Sequence, residues 1–280
     1  MLAYRHLFHA GGFSDVFKHA LLARLVLHLN KKDKPYLYLD THAGIGLYDL
    51  QHEWALKTRE FERGIAKLWG ITSAPCEFEP YLEAVRASNT NGAVRYYPGS
   101  PIVARRFLRA GDRVVLCELG RDDCNALGRY FDGDRQVFVH NMDGYQALKA
   151  FLPPPERRGL VLIDSSFDRS HEFRRLADAL AEAHRRWSTG IFALWYPLMA
   201  VRDMEQFERR IVVTGMQKIL RLELSLFPER WTESLRGCAL LVVNPPWGFE
   251  ADAKRMLPWL WSALAGDRQG GWNVRWLVPE

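Results

Sequence analysis

Two short stretches of the chain compete for one chemical role. Residues 160–168 read LVLIDSSFD, and residues 241–249 read LVVNPPWGF. Each sets an acid or amide at the end of an apolar run and an aromatic ring three positions later. Such a set suits methylation of the exocyclic amine of adenine. The amine's lone pair is delocalised into the ring, so acceptors for its two hydrogens must draw it toward a methyl donor, while the aromatic stacks on the extruded base. By spelling, the second stretch fits better, because its two prolines stiffen the turn.

Position along the chain favours the first. YLYLD at 36–40 reads as a short buried strand running into THAGIG, where Gly44 and Gly46 let the backbone approach a ligand and His42 stands beside them. RVVLCELG brings Glu118 to the end of a second core strand, placed to accept from both ribose hydroxyls of a nucleoside. A third strand at 136–140 leads into HNMDGY. There Asp143 can accept from an adenine amine and Gly144 can leave room for the ring, although an ordinary Asp-Gly turn has the same spelling.

Three parallel strands ending in His42, Glu118 and Asp143 line one crevice, and a fourth at 160–164 ends in Asp164 inside it. S-adenosylmethionine suits this set better than NAD, and the absence of G-x-x-x-x-G-K-[ST] argues against a phosphate-cradling loop. A catalytic loop must border the cofactor's methyl group, and the fourth strand is expected beside the glycine strand. Asp164 is therefore the expected catalytic acceptor and Phe167 the stacking ring. Asn244 to Trp247 follow strands expected toward the far edge and read as a stiff turn, with a share in the substrate pocket left open.

The elements that must position these residues follow from pattern. A helix is predicted over 14–30, capped by Ser14, with Asp15 in its first turn and Leu21, Leu22, Leu25, Val26 and Leu29 on one face. An uninterrupted strand, helix, strand unit would bring the next acidic strand end about 20 residues after the glycines. Glu118 lies 72 residues beyond Gly46. WALKTREFERGIAKLW and EPYLEAVRA, inside that gap, have helical spacing. They predict a small helical subdomain at 48–95 inserted into a Rossmann-like domain of 1–47 and 96–280, with 1–30 as a substrate and cofactor segment. Ser100 at the N-cap and Pro101 at the first helical position then start a helix that Gly111 ends. Further strands are predicted at 113–118, 190–196, 217–226, 238–243 and 273–278, with helices at 170–187, 202–213 and 250–264. Together they make a mainly parallel, doubly wound α/β sheet.

Composition narrows the classes. The chain has 280 residues, 48% apolar and 25% charged, which excludes a disordered chain and suits one large α/β domain. Cys76, Cys117, Cys124 and Cys238 are scattered without a C-x-x-C pair, so neither a disulfide frame nor a zinc site is indicated. His6-x-x-His9 lacks a third ligand at a plausible spacing, and no metal is expected. The scattered cysteines fit a reducing cytosol, so a cytoplasmic protein is expected, and apolar runs such as GIFALWYPLMA are too short to span a bilayer. A net charge of +5 favours a polyanionic partner weakly. Arg105, Arg106 and Arg109 either face RNA or solvate a helix.

Stretches spread over nearly the whole length sharpen this picture: YRHLFHAGGFSDVFKH, YLDTHAGIGLY, RYYPGSP, CELG, MDGY, LVLID, GIFALWYP, VVNPPW and LVPE. In this combination the chain resembles the bacterial 23S rRNA adenine N6-methyltransferase family that modifies a base in the peptidyl transferase region. The resemblance implies a monomeric, Rossmann-like, S-adenosylmethionine-dependent enzyme with a helical insertion, acting on naked or partly assembled 23S rRNA. It assigns cofactor contacts to His19, His42, Ser100, Glu118, Asp143, Gly144 and Asp164, and substrate contacts to Tyr4, His6 and Lys18. Without it, His6, His9 and His19 read as partly exposed helix or loop histidines.

One departure matters. The family pattern is Asp, Pro, Pro, aromatic, and this chain has Asp164, Ser165, Ser166 and Phe167. Each lost proline removes about 0.4–1 kcal/mol of preorganisation, so a slower enzyme is expected. The alternatives are an adenine methyltransferase for another nucleic acid, a methyltransferase for a small molecule, and an RNA- or cofactor-binding protein that has lost turnover.

Overall fold

GLVLI at 159–163 and GCALLVV at 237–243 are apolar without alternation, which demands strands covered on both faces, and every residue of both is buried. The computed structural model, which describes residues 5–90, 92–167, 171–231, 235–266 and 269–280, meets that demand with a central sheet between two layers of helices. In chain order the elements are α1 (Phe13–Asn30), β1 (Leu37–Asp40), β2 (Leu47–Asp49), α2 (Glu53–Thr58), α3 (Ile65–Leu68), α4 (Glu79–Ala87), β3 (Tyr96–Pro98), α5 (Ser100–Arg105), β4 (Arg113–Glu118) and α6 (Arg121–Tyr130). They continue as β5 (Val137–Asn141), α7 (Gly144–Phe151), β6 (Gly159–Ile163), α8 (Glu172–Arg186), β7 (Ile191–Pro197), α9 (Val201–Val213), β8 (Ile219–Ser225), β9 (Gly237–Val243), α10 (Phe249–Leu264) and β10 (Gly271–Val278).

The eight-stranded sheet runs β10-β8-β9-β7-β6-β1-β4-β5. Strands β5, β4, β1, β6 and β7 are parallel, and β1 lies between β4 and β6, so the fourth core strand does border the glycine strand. Beyond β7 the pairing turns antiparallel. Among the described residues no helix separates β8 from β9, and the two strands pair antiparallel, as a chain that reverses direction does. The α/β, doubly wound, Rossmann-like organisation thus holds in the half of the sheet that carries the candidate site.

That reversal decides between the two competing stretches. Because β9 runs opposite to β7, its end lies at the start of β7, away from Asp164. The Asn244 amide donates to the carbonyls of Ser188 and Gly190, both at 2.8 Å, and Trp247 is 94% exposed. Asn244 to Trp247 therefore have no share in the pocket around Asp164.

Helix α1 is the central prop. One apolar face is predicted for it, but Phe13, Val16, Phe17, Ala20 and Ala23 are buried as well, as are Asp15, Lys18 and His19. A helix covered on all sides lies within a core rather than on it, and α1 packs against α4, α5, α10, β6 and β9. Its start is also shifted. Gly12 is the N-cap residue and Ser14 already lies inside the helix.

The stretch between Asp49 and Tyr96 is closed by an antiparallel β2–β3 pair. The long helix suggested by WALKTREFERGIAKLW is broken at Arg59, whose φ is 53°, and at Gly64. A Cβ on Gly64 would stand 2.1 Å from the Gly11 carbonyl, so the break is where the amino-terminal segment crosses. Phe61, Ile65, Leu68, Phe78, Tyr81 and Val85 are buried in the same cluster as α1.

The helix expected from Ser100 to Gly111 is shorter and starts differently. Gly99 is the cap, Ser100 is the first helical residue, and α5 ends at Arg105. Asp112 then turns the chain by accepting from the Arg109 amide at 2.8 Å, while the Arg109 guanidinium holds the Lys32 and Lys34 carbonyls. Arg105 is paired with Asp134 at 2.6 Å. Arg105 and Arg109 thus have internal partners, and Arg106 is exposed.

The α7 start tests how tightly these layers fit. A Cβ on Gly144 would lie 2.1 Å from the Thr41 carbonyl and 2.9 Å from Thr41 Cβ. We expect Gly144→Ala to lower stability by about 1–3 kcal/mol, as overpacked sites do, read as a lower urea midpoint at unchanged m-value. Wild-type stability would show that the start of α7 can retreat from the glycine loop.

Candidate active site

Open α/β sheets bind ligands where strand connections diverge at the carboxyl end of the sheet. Here the chain leaves β1 toward β4 on one side and returns through β6 on the other. A cleft of about 770 Å³ opens at that point, lined by His42, Glu118, Asp143 and Asp164 from the strand ends. It is also lined by Gly144 and Ser100 at helix starts, by His6, Lys18 and His19 from the amino-terminal segment, and by Phe167. Tyr4 lies outside the described residues.

At the polar end, Glu118 accepts from the Gly44 amide at 3.0 Å and the Gly120 amide at 2.7 Å. Each oxygen keeps a second lone pair. Burial pushes its carboxyl above the usual range, and the two amides moderate the shift. Asp143 caps α7, accepting from the Tyr145 and Gln146 amides at 2.8 and 3.2 Å, and pairs with Arg175 at 2.6 Å. Burial opposes its ionisation, but Arg175 and those amides outweigh it and hold the carboxyl below its ordinary value. Asp143 thus serves as the cap of α7, and a Cβ at Gly144 has no room beside the Thr41 carbonyl, while both residues line the cleft.

Thr41 donates to the Leu162 carbonyl at 3.0 Å, so its oxygen accepts from His42 Nδ1 at 2.8 Å. Burial lowers the His42 pKa, and the neutral ring then carries its acceptor at Nε2. His19 is fully buried, hydrogen-bonded through Nδ1 to the Tyr97 hydroxyl at 2.8 Å and stacked on that ring. Burial and the neighbouring Lys18 keep it neutral.

Asp40, at the end of β1, does not line the cleft but holds His42 and Ser100, which do, and pattern reading passed over it. It is fully buried and accepts from the Tyr38 hydroxyl at 2.8 Å, from the His42 amide at 3.3 Å and from the Ser100 hydroxyl. Burial pushes its pKa up to about 6. Ser100 thus ties α5 to the glycine loop through Asp40. The signal was present as an acid closing an apolar strand immediately before T-H-A-G.

At the other end, Lys18 Nζ lies 2.5 Å from Asp164 Oδ2 and 2.9 Å from Asp15 Oδ1. Burial would strip this ammonium of its proton, but the two carboxylates overcome that cost and raise its pKa well above the lysine range. Asp15 Oδ2 in turn accepts from the Gly11 amide at 3.0 Å and contacts His6 Nε2 at 2.9 Å. Beside Asp164 the cleft becomes apolar, lined by Phe167, Trp195, Pro197 and Leu235. Phe167, at φ 52°, packs on Phe173 at 4.8 Å and edge-on to Trp195 at 6.1 Å.

Residues 5–9 run along the mouth of the cleft. Arg5 pairs with Asp123 on α6 at 3.3 Å, Phe8 stacks on Trp54 of α2, and His9 Nδ1 contacts Glu60 at 2.8 Å. The hydrogen bond to Glu60 raises the His9 pKa against the effect of burial. Arg5, His9, Glu60 and Asp123 all line the cleft. Their clustering joins segments far apart in sequence, which residue spacing cannot show.

Comparisons with known proteins identify the family. The family model described as "Ribosomal RNA large subunit methyltransferase D, RlmJ" matches residues 33–278. "Ribosomal RNA large subunit methyltransferase J" of Escherichia coli (strain K12) is 42% identical over 280 residues, covering all of both chains. The protein of the same name from Haemophilus influenzae is 38% identical over 281 residues, again covering both chains in full. A crystal structure from Legionella pneumophila superposes with a TM-score of 0.90 at 37% identity, covering 96% of this chain and 98% of that one. The chain belongs to the RlmJ family of ribosomal RNA large subunit methyltransferases.

Proposed function

We propose that this protein transfers a methyl group from S-adenosylmethionine to N6 of an adenine in 23S rRNA, as a single cytoplasmic chain acting on naked or partly assembled RNA. The observation that carries the proposal is the position of Asp164. It is a carboxylate held by a buried lysine at the boundary between a polar cleft end built from strand-end acids and an apolar, aromatic end.

The polar end suits a nucleoside cofactor. Glu118 offers acceptors to ribose hydroxyls, neutral His42 and the Asp143 cap border the same space, and strand-end carboxylates would repel a pyrophosphate. When bound, S-adenosylmethionine supplies an electrophilic methyl group. At the apolar end Phe167 and Trp195 provide aromatic surface for an extruded base, a contact worth about 1–3 kcal/mol in comparable sites. Lys18 occupies Asp164 Oδ2, which leaves Oδ1 to accept one N6 hydrogen, and a backbone carbonyl of the 164–166 loop takes the other. These acceptors strengthen as the amine gains positive charge, so they favour the transition state over the ground state. Arg5, partly exposed at the cleft mouth, offers a positive group to an RNA backbone.

The direct test is incubation with labelled S-adenosylmethionine and undermodified 23S rRNA, followed by mapping of the methylated nucleoside by mass spectrometry. N6-methyladenosine in the RNA and none in duplex DNA is expected. Label in DNA alone would favour the other nucleic-acid reading, and cofactor binding without product would favour a protein that has lost turnover.

Asp164→Ala should reduce the single-turnover rate by about 100-fold or more in a folded protein. Undiminished turnover would remove Asp164 from the chemistry.

Glu118→Gln should weaken cofactor binding about ten-fold, the worth of a charge-assisted hydrogen bond, as read by calorimetry. The pH dependence has a definite sign. Only the ionised carboxylate is the strong acceptor, and its pKa is raised, so wild-type affinity should begin to fall at a higher pH than an ordinary glutamate would allow. The Gln variant should lack that fall, and identical profiles would place the titrating group elsewhere.

The serine loop gives a third test. The Ser165 hydroxyl is buried near Tyr145 without a well-formed hydrogen bond, so replacing it removes a poorly satisfied polar group. Ser165→Pro with Ser166→Pro should raise the single-turnover rate by roughly five- to thirty-fold if the stiffened loop is worth about 1–2 kcal/mol. A folded double variant slower than wild type would show that the loop has settled into a geometry that prolines do not adopt.

A further inference from the structure

An acid in the first turn of a helix is ordinary, because the helix dipole favours it there, and such a residue is usually solvated. Asp15 is not. It is 1% exposed in α1, and both of its oxygens are used. Oδ2 serves the Gly11 amide and His6, while Oδ1 holds Lys18 Nζ at 2.9 Å. Burying a carboxylate so completely is costly unless its partners need it.

The partner that needs it is Lys18. A lysine side chain has four rotatable bonds, and its ammonium is a compact charge without directional preference. A single contact to Asp164 would leave the position of Nζ poorly defined. Asp15, one helical turn earlier, supplies a second fixed point on the same element. Nζ is thereby held between two carboxylates, with the Trp195 ring 5.9 Å away. Because α1 is buried on all sides, the Asp15 end of this link is anchored in the core, whereas Asp164 stands at the start of a loop.

We propose that Asp15 is a positioning residue for methyl transfer, which through Lys18 fixes the place of the Asp164 carboxylate. The inference rests on the proposed function and adds a residue that contacts neither base nor cofactor in that reading. It predicts a specific pattern of losses. Asp15→Asn keeps the side-chain shape but leaves Lys18 with one carboxylate, so the single-turnover rate on undermodified 23S rRNA should fall about ten- to hundred-fold, as small misplacements of a reacting group do. Affinity for S-adenosylmethionine should stay unchanged. Asp15→Glu, which keeps the charge and reaches Lys18 from a displaced position, should recover part of the rate.

The deciding measurement is a double-variant cycle with Lys18→Met. If Asp15 acts through Lys18, adding Asp15→Asn to Lys18→Met costs nothing further. Losses that multiply in the double variant would overturn the positioning role. Circular dichroism checks the fold of each variant. Should Asp15→Asn not fold, Asp15→Glu takes its place in the cycle, where it is expected to slow the wild-type background and leave Lys18→Met unaffected. A wild-type protein that methylates no RNA would overturn the proposed function and the positioning role together, whereas an active wild type with multiplying losses would overturn the positioning role alone.

Discussion

The buried ammonium of Lys18 is the constraint on which the candidate site depends. At 4% exposure it cannot be solvated, so carboxylates must come to it. One comes from its own helix, and the other from the end of a strand 146 residues away. Removing one partner of such a buried set typically costs about 3–5 kcal/mol. The pair therefore ties the fold and the site together: the sheet cannot move relative to α1 without separating Lys18 from Asp164.

This explains why so much of the chain is built around α1. The short helices between β2 and β3 cover the side of α1 that would otherwise face water, and α10 covers another. The covering segment also receives residues 5–12, through Phe8 on Trp54, His9 on Glu60 and the Gly11 carbonyl accepting from the Ile65 amide at 2.9 Å. The segment between β2 and β3, visible in sequence as a delay between glycine loop and strand-end acid, thus supports the residues that border the cleft mouth.

The sequence was legible wherever local pattern coincides with a structural demand. Glycine loop, strand-end Glu118, Asp143-Gly144 and the apolar run before Asp164 are each readable in a few residues, and strand succession was enough to place β6 beside β1. What escaped reading depends on partners distant in the chain. Asp15 looked like a dipole acid because its contacts to Gly11 and His6 require the chain to fold back. Asp40 was read only as part of the strand at 36–40, because its partner Ser100 lies 60 residues further along the chain. Ser100 itself was misread as a cap because S-P at a helix start is a strong local signal, while tertiary demand gives its hydroxyl to Asp40. The antiparallel edge went unread although no helix is predicted between the strands at 217–226 and 238–243, because the reversal that such a direct connection implies was not drawn from the strand succession.

The missing prolines at 165 and 166 gain meaning from the same geometry. In a loop stiffened by rings, the backbone itself restricts where the acid and the aromatic can lie. Here the acid is held from outside by Lys18, and the aromatic is held by packing on Phe173 and Trp195. Both devices act on side chains and leave the intervening carbonyls less constrained than rings would. In the proposed function, the acceptor that the Asp164 carboxylate offers the base is therefore better preorganised than the one from the backbone beside it. Under that proposal, any deficit in rate should reside in the second acceptor for the amine rather than in the carboxylate.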